Sequence, residues 1–296
     1  MNQRERGFLL LASDLGDPNR KPLTTAQLRI LADRTWQMEQ PREDRDLQPE
    51  DLMALGYGTA MAQRIVYLLS QEDVLDRYLA RGKQKNCIPI TRVSPGYPIL
   101  LRRRLGCDSP GTLWARGDAK LLQTPMIALV GSRDLMPENQ KFAEEVGRQA
   151  ALQGFTLVSG NARGADKTAQ EACLEAGGRV VCVVADELYH HARENVLYLS
   201  EENFDAPFSA QRALSRNRVI HALGAKTLVA QCSLGMGGSW DGSVKNLRFG
   251  WSKVFCFDDG SRAMAQLAQM GATLVTCQVL SDLNALQSPF NNLFDQ

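Results

Sequence analysis

The second half of the chain contains six short apolar runs, and segments with helical character separate most of them. The runs are MIALVGS, FTLVSG, RVVCVVA, TLVAQC, KVFCFDD and ATLVTC, which begin at residues 126, 155, 179, 227, 253 and 272. Strands that are apolar along their whole length are buried on both faces, which is typical of a parallel sheet covered by helices. The pattern predicts a doubly wound α/β domain, whose ligands bind beyond the carboxyl ends of the strands.

The first 85 residues have a different character, with segments that are predicted to be helical. One of these segments, LMALGYGTAMAQRIVYLLSQ, contains a turn like that of a helix-hairpin-helix unit, which is more typical of packing than of DNA contact. A polar stretch at 39–51 precedes it. We therefore expect a small N-terminal helical domain of SAM or helix-hairpin-helix type over 1–85, the α/β domain over 86–282, and a short tail over 283–296.

Composition limits the chemistry that the chain can carry. The net charge of +1 means that any nucleic-acid binding must come from a local patch. Seven scattered cysteines and three histidines offer neither a disulfide framework nor a zinc-ligand spacing. No signal peptide and no bilayer-spanning apolar run is found in the sequence, so we expect a cytoplasmic protein with no membrane contact, no metal and no cofactor.

The segment LVSGNARGADKTAQEACLEAGG, from Leu157 to Gly178, has the form of a strand, a loop and a helix. Its loop lies at a helix N-terminus, where unpaired N–H groups and the helix dipole favour an anion. Gly160 and Gly164 permit close approach of the backbone, and Arg163 supplies a planar donor for phosphate oxygens. The alternative is a simple helix cap, with Asp166 in the first turn and Arg163 in solvent. The segment alone does not decide between these interpretations.

Three more segments carry groups suited to phosphate. VGSR at 130–133 ends a strand in small residues and an arginine, and FSAQRALSRNRVIHAL contributes Arg212, Arg216 and Arg218. A glycine-rich loop, QCSLGMGGSWDGSVKNL, precedes another helix. VGSR and the loop after Val158 follow strands that should end at one sheet edge. Each segment alone is weak evidence, but four phosphate-compatible loops at one edge predict an anion site there.

These motifs in this order, VGSR, SGNARGAD, SRNRVIHAL and GGSWDGSVKN, resemble the DNA-processing protein A family, also called DprA or Smf, within the SLOG superfamily. The resemblance covers roughly residues 90 to 260. It implies an extended Rossmann-like fold and a non-enzymatic protein that binds single-stranded DNA without reading its sequence. It also implies a homodimer that hands the strand to a RecA-type recombinase during natural transformation or DNA recombination.

Carried over residue by residue, the resemblance implies a set of DNA- or phosphate-binding positions. They are Gly131, Ser132, Arg133, Ser159, Gly160, Asn161, Arg163, Gly164, Asp166, Lys167, Arg216, Asn217, Arg218, Gly238 and Ser239. Backbone amides and guanidinium groups in such a groove bind phosphates with an affinity that depends on salt.

The chain departs from the family pattern in the fourth loop, where Gln231 replaces a common acidic residue and Trp240 and Asp241 interrupt the small residues. An alternative function is therefore a SLOG-type nucleotide sensor, or an N-glycosidic hydrolase acting on a phosphorylated nucleoside. A hydrolase needs a carboxylate for acid-base chemistry, and the nearby candidates are Asp166, Glu171 and Asp241. A further alternative is a structural partner that has lost its ligand. Aromatic side chains that stack bases would favour DNA, and the loop candidates are Tyr189, Phe204, Phe208 and Trp240.

Overall fold

The N-terminal part of the protein is helical, as predicted. The computed structural model describes residues 1–36 and 46–287, so part of the predicted polar stretch at 39–51 and the end of the predicted tail lie outside the described residues. The helices of this part are α1 (Gln3–Ala12), α2 (Thr25–Trp36), α3 (Pro49–Ala54), α4 (Thr59–Leu69) and α5 (Glu72–Gln84). Leu31, Leu52, Ile65 and Leu68 form a small apolar core between them.

The rest of the described chain is built around one nine-stranded sheet. Its strands are β1 (Ile88–Thr91), β2 (Thr112–Arg116), β3 (Met126–Val130), β4 (Thr156–Ser159), β5 (Arg179–Val183), β6 (Val196–Ser200), β7 (Lys226–Val229), β8 (Lys253–Phe257) and β9 (Thr273–Val275). The order is β1-β2-β6-β5-β4-β3-β7-β8-β9. The strands from β6 to β9 in that order run parallel, and β1 and β2 add antiparallel at one edge.

Helices cover both faces of the sheet, which confirms the doubly wound α/β prediction. They are α6 (Ile99–Leu105), α7 (Pro137–Leu152), α8 (Ala165–Glu175), α9 (Ala210–Ser215), α10 (Asn217–Leu223), α11 (Gly237–Phe249) and α12 (Arg262–Gln269). Successive residues of β3 alternate between two core clusters, with Ile127 and Leu129 in one and Ala128 and Val130 in the other. Alternation of this kind is the reason that the strands read as continuous apolar runs.

All six apolar runs are strands in the structure, and three further strands were not predicted individually. β1 and β2 lie in a segment rich in proline and glycine, which the sequence indicated only as a connector of strands and turns. β6 (VLYLS) is bounded by Asn195, which has a positive φ of 59°, and carries Tyr198 and Ser200, so it lacks the uniform apolar character of its neighbours. No helix in the described ranges is long and apolar enough to cross a membrane.

The helical part is joined to the sheet by a cluster of aromatic rings. Tyr78 of α5 lies edge-on to Trp114 of β2 at 5.4 Å between ring centroids, and Phe204 lies 4.8 Å from Trp114. All three rings are buried. Gly82 allows this contact, because a Cβ there would lie 2.9 Å from the Trp114 ring. The loop after β6, which carries Phe204, is therefore fixed to the N-terminal helices.

Candidate functional site

A cavity of about 590 Å³ opens at the carboxyl ends of β3 and β7. The chain winds from β3 toward β6 on one side of this point and from β7 toward β9 on the other. Such a switch point is where open α/β sheets form a crevice for ligands, because the loops on either side diverge. The cavity lies at the edge that the sequence predicted for an anion.

Close packing of three loops forms one wall of the cavity. The Ser132 N–H donates to the Gln231 carbonyl at 2.8 Å, and the Ala165 N–H donates to the Ser132 carbonyl at 3.0 Å. Gly164 has a φ of +77°, and a Cβ there would lie 2.4 Å from the carbonyl oxygens of Ser132 and Arg133. Glycine is therefore required at this position for the loop after β4 to meet the loop after β3.

Asp166 organises the loop after β4 from inside the first turn of α8. Its Oδ2 accepts hydrogen bonds from the N–H groups of Gly160 at 3.0 Å and Ala162 at 3.1 Å. The side chain is buried, and this burial raises the pKa of Asp166 above its ordinary value, while Arg216 and the two N–H donors oppose the rise. The Asp166 carboxylate therefore binds two backbone N–H groups that the sequence had suggested for a phosphate.

Arg216 forms the floor of the cavity, at the junction of α9 and α10. Its side chain is buried, with the residue only 7% exposed, and it donates through Nη1 to the Val183 carbonyl. The guanidinium lies over Gly160, where a Cβ would come 1.8 Å from Nη1. Its Nε has no hydrogen-bond partner among the described residues. A buried cationic donor without an acceptor marks a place where an anion would be stabilised.

Arg133 and the start of α11 complete the polar part of the cavity. Arg133 follows β3, is exposed, and has no hydrogen bond or ion pair within the described part of the chain. No side chain caps the 13-residue helix α11, so its first N–H groups remain available to a ligand. Ser239 donates to the Gly131 carbonyl at 2.6 Å, and Asn217 donates to the Gly238 carbonyl at 3.1 Å, which fixes this helix end against the other loops.

The structure brings eight of the predicted positions to the cavity and leaves seven outside its lining. Lining it are Gly131, Ser132, Arg133, Asp166, Arg216, Asn217, Gly238 and Ser239. Outside the lining are Ser159, Gly160, Asn161, Arg163, Gly164, Lys167 and Arg218. Gly160 and Gly164 belong to the packing behind the wall.

The charged residues outside the lining have other surroundings. Arg163 is 76% exposed and pairs with Asp134 at 3.0 Å, and Lys167 is exposed on α8. Arg218 pairs with Glu201 at 2.5 Å. Arg212, also considered from the sequence, is buried and pairs with Glu202 at 2.8 Å. Only Arg216 of the three arginines in this segment therefore faces the cavity.

The rim of the cavity is apolar, and among its side chains the sequence had indicated Phe208 but not Leu214 or Met236. Phe208, Leu214 and Met236 line it with 60%, 49% and 70% of their surfaces exposed. Of the other aromatic candidates, Phe204 is buried in the core, Trp240 packs against the core cluster that contains Ala128, and Tyr189 packs against the cluster that contains Ile127. For Met236, the glycines on either side of it were the sequence feature that indicated a loop position outside the core.

The carboxylates considered for acid-base catalysis are all engaged in other contacts. Glu171 pairs with Arg193 at 2.6 Å, and Asp241 pairs with Lys245 at 2.8 Å along α11. Asp166 holds two loop amides and is the one carboxylate that borders the cavity within the described residues. No group of three or more metal-ligating side chains occurs in the described ranges.

Fold and cavity together define a doubly wound, Rossmann-like α/β protein with its ligand crevice at the topological switch point. Residues 89–279 match the model of the family described as DNA recombination-mediator protein A, and the chain belongs to that family. The chain is 30% identical over 171 residues to DNA processing protein DprA of Bacillus subtilis, covering 53% of this chain and 56% of the relative. It is 30% identical over 142 residues to protein Smf of Escherichia coli, covering 44% of this chain and 38% of the relative. The chain thus spans about half the length, or less, of these curated relatives.

Solved structures share the fold. The chain superposes on DNA processing protein A from Streptococcus pneumoniae with a TM-score of 0.70 at 24% identity, covering 94% of this chain and 97% of that one. A structure that describes the single-stranded DNA binding mode of DNA processing protein A from Helicobacter pylori gives a TM-score of 0.55 at 24% identity, covering 66% and 94%. The likeness shows that the architecture is common to these proteins.

Proposed function

We propose that this protein binds single-stranded DNA through the switch-point cavity, without reading the base sequence. The observation that carries the proposal is the buried Arg216, which lines the cavity together with Arg133 and whose Nε lacks an acceptor within the described residues. Two guanidinium groups and the uncapped start of α11 suit the oxygens of a phosphodiester. Family membership supports DNA as the source of the phosphate, as does the DNA-binding relative from Helicobacter pylori.

Catalysis has less support than binding. A hydrolase would need a carboxylate free to transfer a proton at the cavity, and both N–H contacts of Asp166 give it a role in loop structure. The proposal is therefore a binding protein rather than a nucleotide hydrolase.

The binding test is a fluorescence anisotropy titration with labelled oligo-dT at two salt concentrations, with unlabelled duplex as competitor. We expect binding at low salt that weakens as salt rises and that duplex competes for poorly. Absence of binding at low salt, with the protein folded by circular dichroism, would reject the proposal. Incubation with a panel of nucleoside monophosphates, followed by chromatography, tests the hydrolase directly, since release of free base would favour it.

The proposal extends to assembly, with the bound strand passing to a RecA-type recombinase and the protein acting as a homodimer. β9 is an edge strand of the sheet, and Leu274 within it and Met270 just before it are 38% and 41% exposed. The apolar face of α12, with Ala263, Met264 and Leu267, packs against the sheet, so the edge itself is the available surface. Light scattering at tens of micromolar that finds only monomer would count against the dimer.

A further inference from the structure

The cavity combines two kinds of chemistry at different depths. Arg216 lies buried at its floor, whereas Phe208, Leu214 and Met236 are exposed at its rim. Large apolar side chains exposed beside a ligand cavity mark a surface for an apolar ligand group. A nucleotide has this same division, since its phosphate is anionic and its base has an apolar face.

Phe208 differs from an ordinary exposed side chain because the backbone before and after it is fixed. The buried guanidinium of Arg212 donates to the carbonyls of Ala206 at 2.7 Å and Ala185 at 2.9 Å, and also to the Pro207 carbonyl. Ser209, the next residue, caps α9 by accepting from the Arg212 N–H at 3.0 Å. The position of the Phe208 backbone is therefore set without a ligand.

The N-terminal helices hold the other end of the same loop. The Tyr78 hydroxyl donates to Asp205 Oδ1 at 2.8 Å, and Arg81 pairs with Asp205 Oδ2 at 2.8 Å. Phe204 is inserted between Tyr78 and Trp114. A loop fixed at both ends loses little conformational freedom on binding, which favours affinity.

We propose that Phe208 stacks on one base of the bound strand, while Arg133 and Arg216 hold the neighbouring phosphate. Leu214 and Met236 supply further apolar surface at the same rim. Stacking on an aromatic face accepts any base, so this contact adds affinity without sequence preference, and it excludes duplex DNA because paired bases are not available to it. The inference deepens the proposed function and depends on it.

The test compares two oligonucleotides of equal length and charge, oligo-dT and an abasic strand of tetrahydrofuran residues. Phe208→Ala should weaken oligo-dT binding by roughly tenfold and leave the abasic strand unaffected, because only stacking is removed. The salt dependence of binding should not change, since no charge is lost. Phe208→Trp should retain wild-type affinity for oligo-dT.

Phe249→Ala is the matched control. Phe249 is 59% exposed, close to the 60% of Phe208, but it lies at the far end of α11, roughly 18 Å along the helix from the cavity. The proposal is overturned if wild type binds both strands equally and Phe208→Ala binds oligo-dT like wild type. It is also overturned if Phe249→Ala causes the same loss as Phe208→Ala. If the wild type binds neither strand, the proposed function itself has failed.

Discussion

Two cavities of similar size but opposite charge flank the end of β7. The one described above, of about 590 Å³, contains Arg133 and Arg216. The other, of about 660 Å³, contains Glu138, Asp258 and Asp259, and Cys232 contributes to both. Both cavities are formed by the carboxyl ends of strands of the same sheet and by the N-termini of helices packed on it. The fold therefore provides the crevices, and the side chains determine which ligands bind there.

The two cavities also differ in how their donors are satisfied. In the acidic cavity, Asp259 accepts from the Asn139 amide at 2.8 Å and from the Ser261 N–H at 2.9 Å, at the start of α12. A carboxylate of the protein thus occupies the position where an external anion would bind. In the basic cavity the Nε of Arg216 lacks such an acceptor within the described chain. An unsatisfied donor, more than the fold, therefore distinguishes a candidate anion site from a completed one.

The largest effect on oligo-dT binding is expected from Gly160→Ala, which removes no charged group but displaces the guanidinium of Arg216. The new Cβ would lie 1.8 Å from Arg216 Nη1, so the guanidinium must leave the cavity floor. We expect at least about a tenfold loss of oligo-dT affinity, the value of one charge-assisted contact. Gly96→Ala is the control, because a Cβ there meets no atom within 4 Å. Wild-type affinity in Gly160→Ala, measured by anisotropy, would show that Arg216 does not hold the strand.

Arg133→Ala should have the next largest effect, about tenfold at low salt, because it removes an exposed guanidinium that has no ion pair among the described residues. The slope of affinity against salt concentration should fall by about one unit. Arg163→Ala should cost less, since Arg163 already pairs with Asp134. Arg179→Ala controls for loss of charge, because Arg179 is at the amino-terminal end of β5, whereas the cavity lies at the carboxyl ends of the parallel strands. An equal loss in Arg179→Ala would indicate attraction by overall charge alone.

The sequence predicted the sheet well because apolar runs report burial on both faces directly. It could not separate Arg216 from Arg218, since that depends on α9 ending at Ser215 and α10 starting at Asn217. Nor could it separate Phe204 from Phe208. Phe204 is buried because Tyr78, more than a hundred residues earlier in the chain, packs against it. Local patterns identify which residue types are present near a site, and tertiary contacts decide which of them face it.

Asp166→Asn tests whether the carboxylate shapes the loop or interacts with the ligand. An Asn oxygen can still accept from Gly160 and Ala162, and the loss of a negative charge beside the cavity should leave oligo-dT affinity equal or slightly higher. A loss of tenfold or more, with the fold intact, would give Asp166 a direct role in binding.

The same variant has a predictable pH dependence. Burial raises the folded-state pKa of Asp166 above its ordinary value of 3.8, so the stability that this group contributes is present at lower pH and is lost as pH rises through the folded pKa. From about pH 4 toward neutral, wild type should lose stability relative to Asp166→Asn, which has no titrating group there. Urea unfolding of both proteins across that range measures the difference, and a constant difference would contradict the raised pKa.

Asp258→Asn should have the smallest effect and completes the comparison of the two cavities. The Asp258 side chain is exposed in the acidic cavity and forms no hydrogen bond or ion pair within the described residues, so the substitution should leave folding unchanged. If the strand occupies only the basic cavity, Asp258 acts on it through long-range repulsion, which salt screens beyond about 10 Å at 0.1 M. We therefore expect oligo-dT affinity to rise by less than about twofold at low salt and to match wild type at 0.2 M salt. A larger rise that persists at the higher salt would mean that the strand passes across the acidic cavity as well, and that the contrast between the two cavities does not define its path.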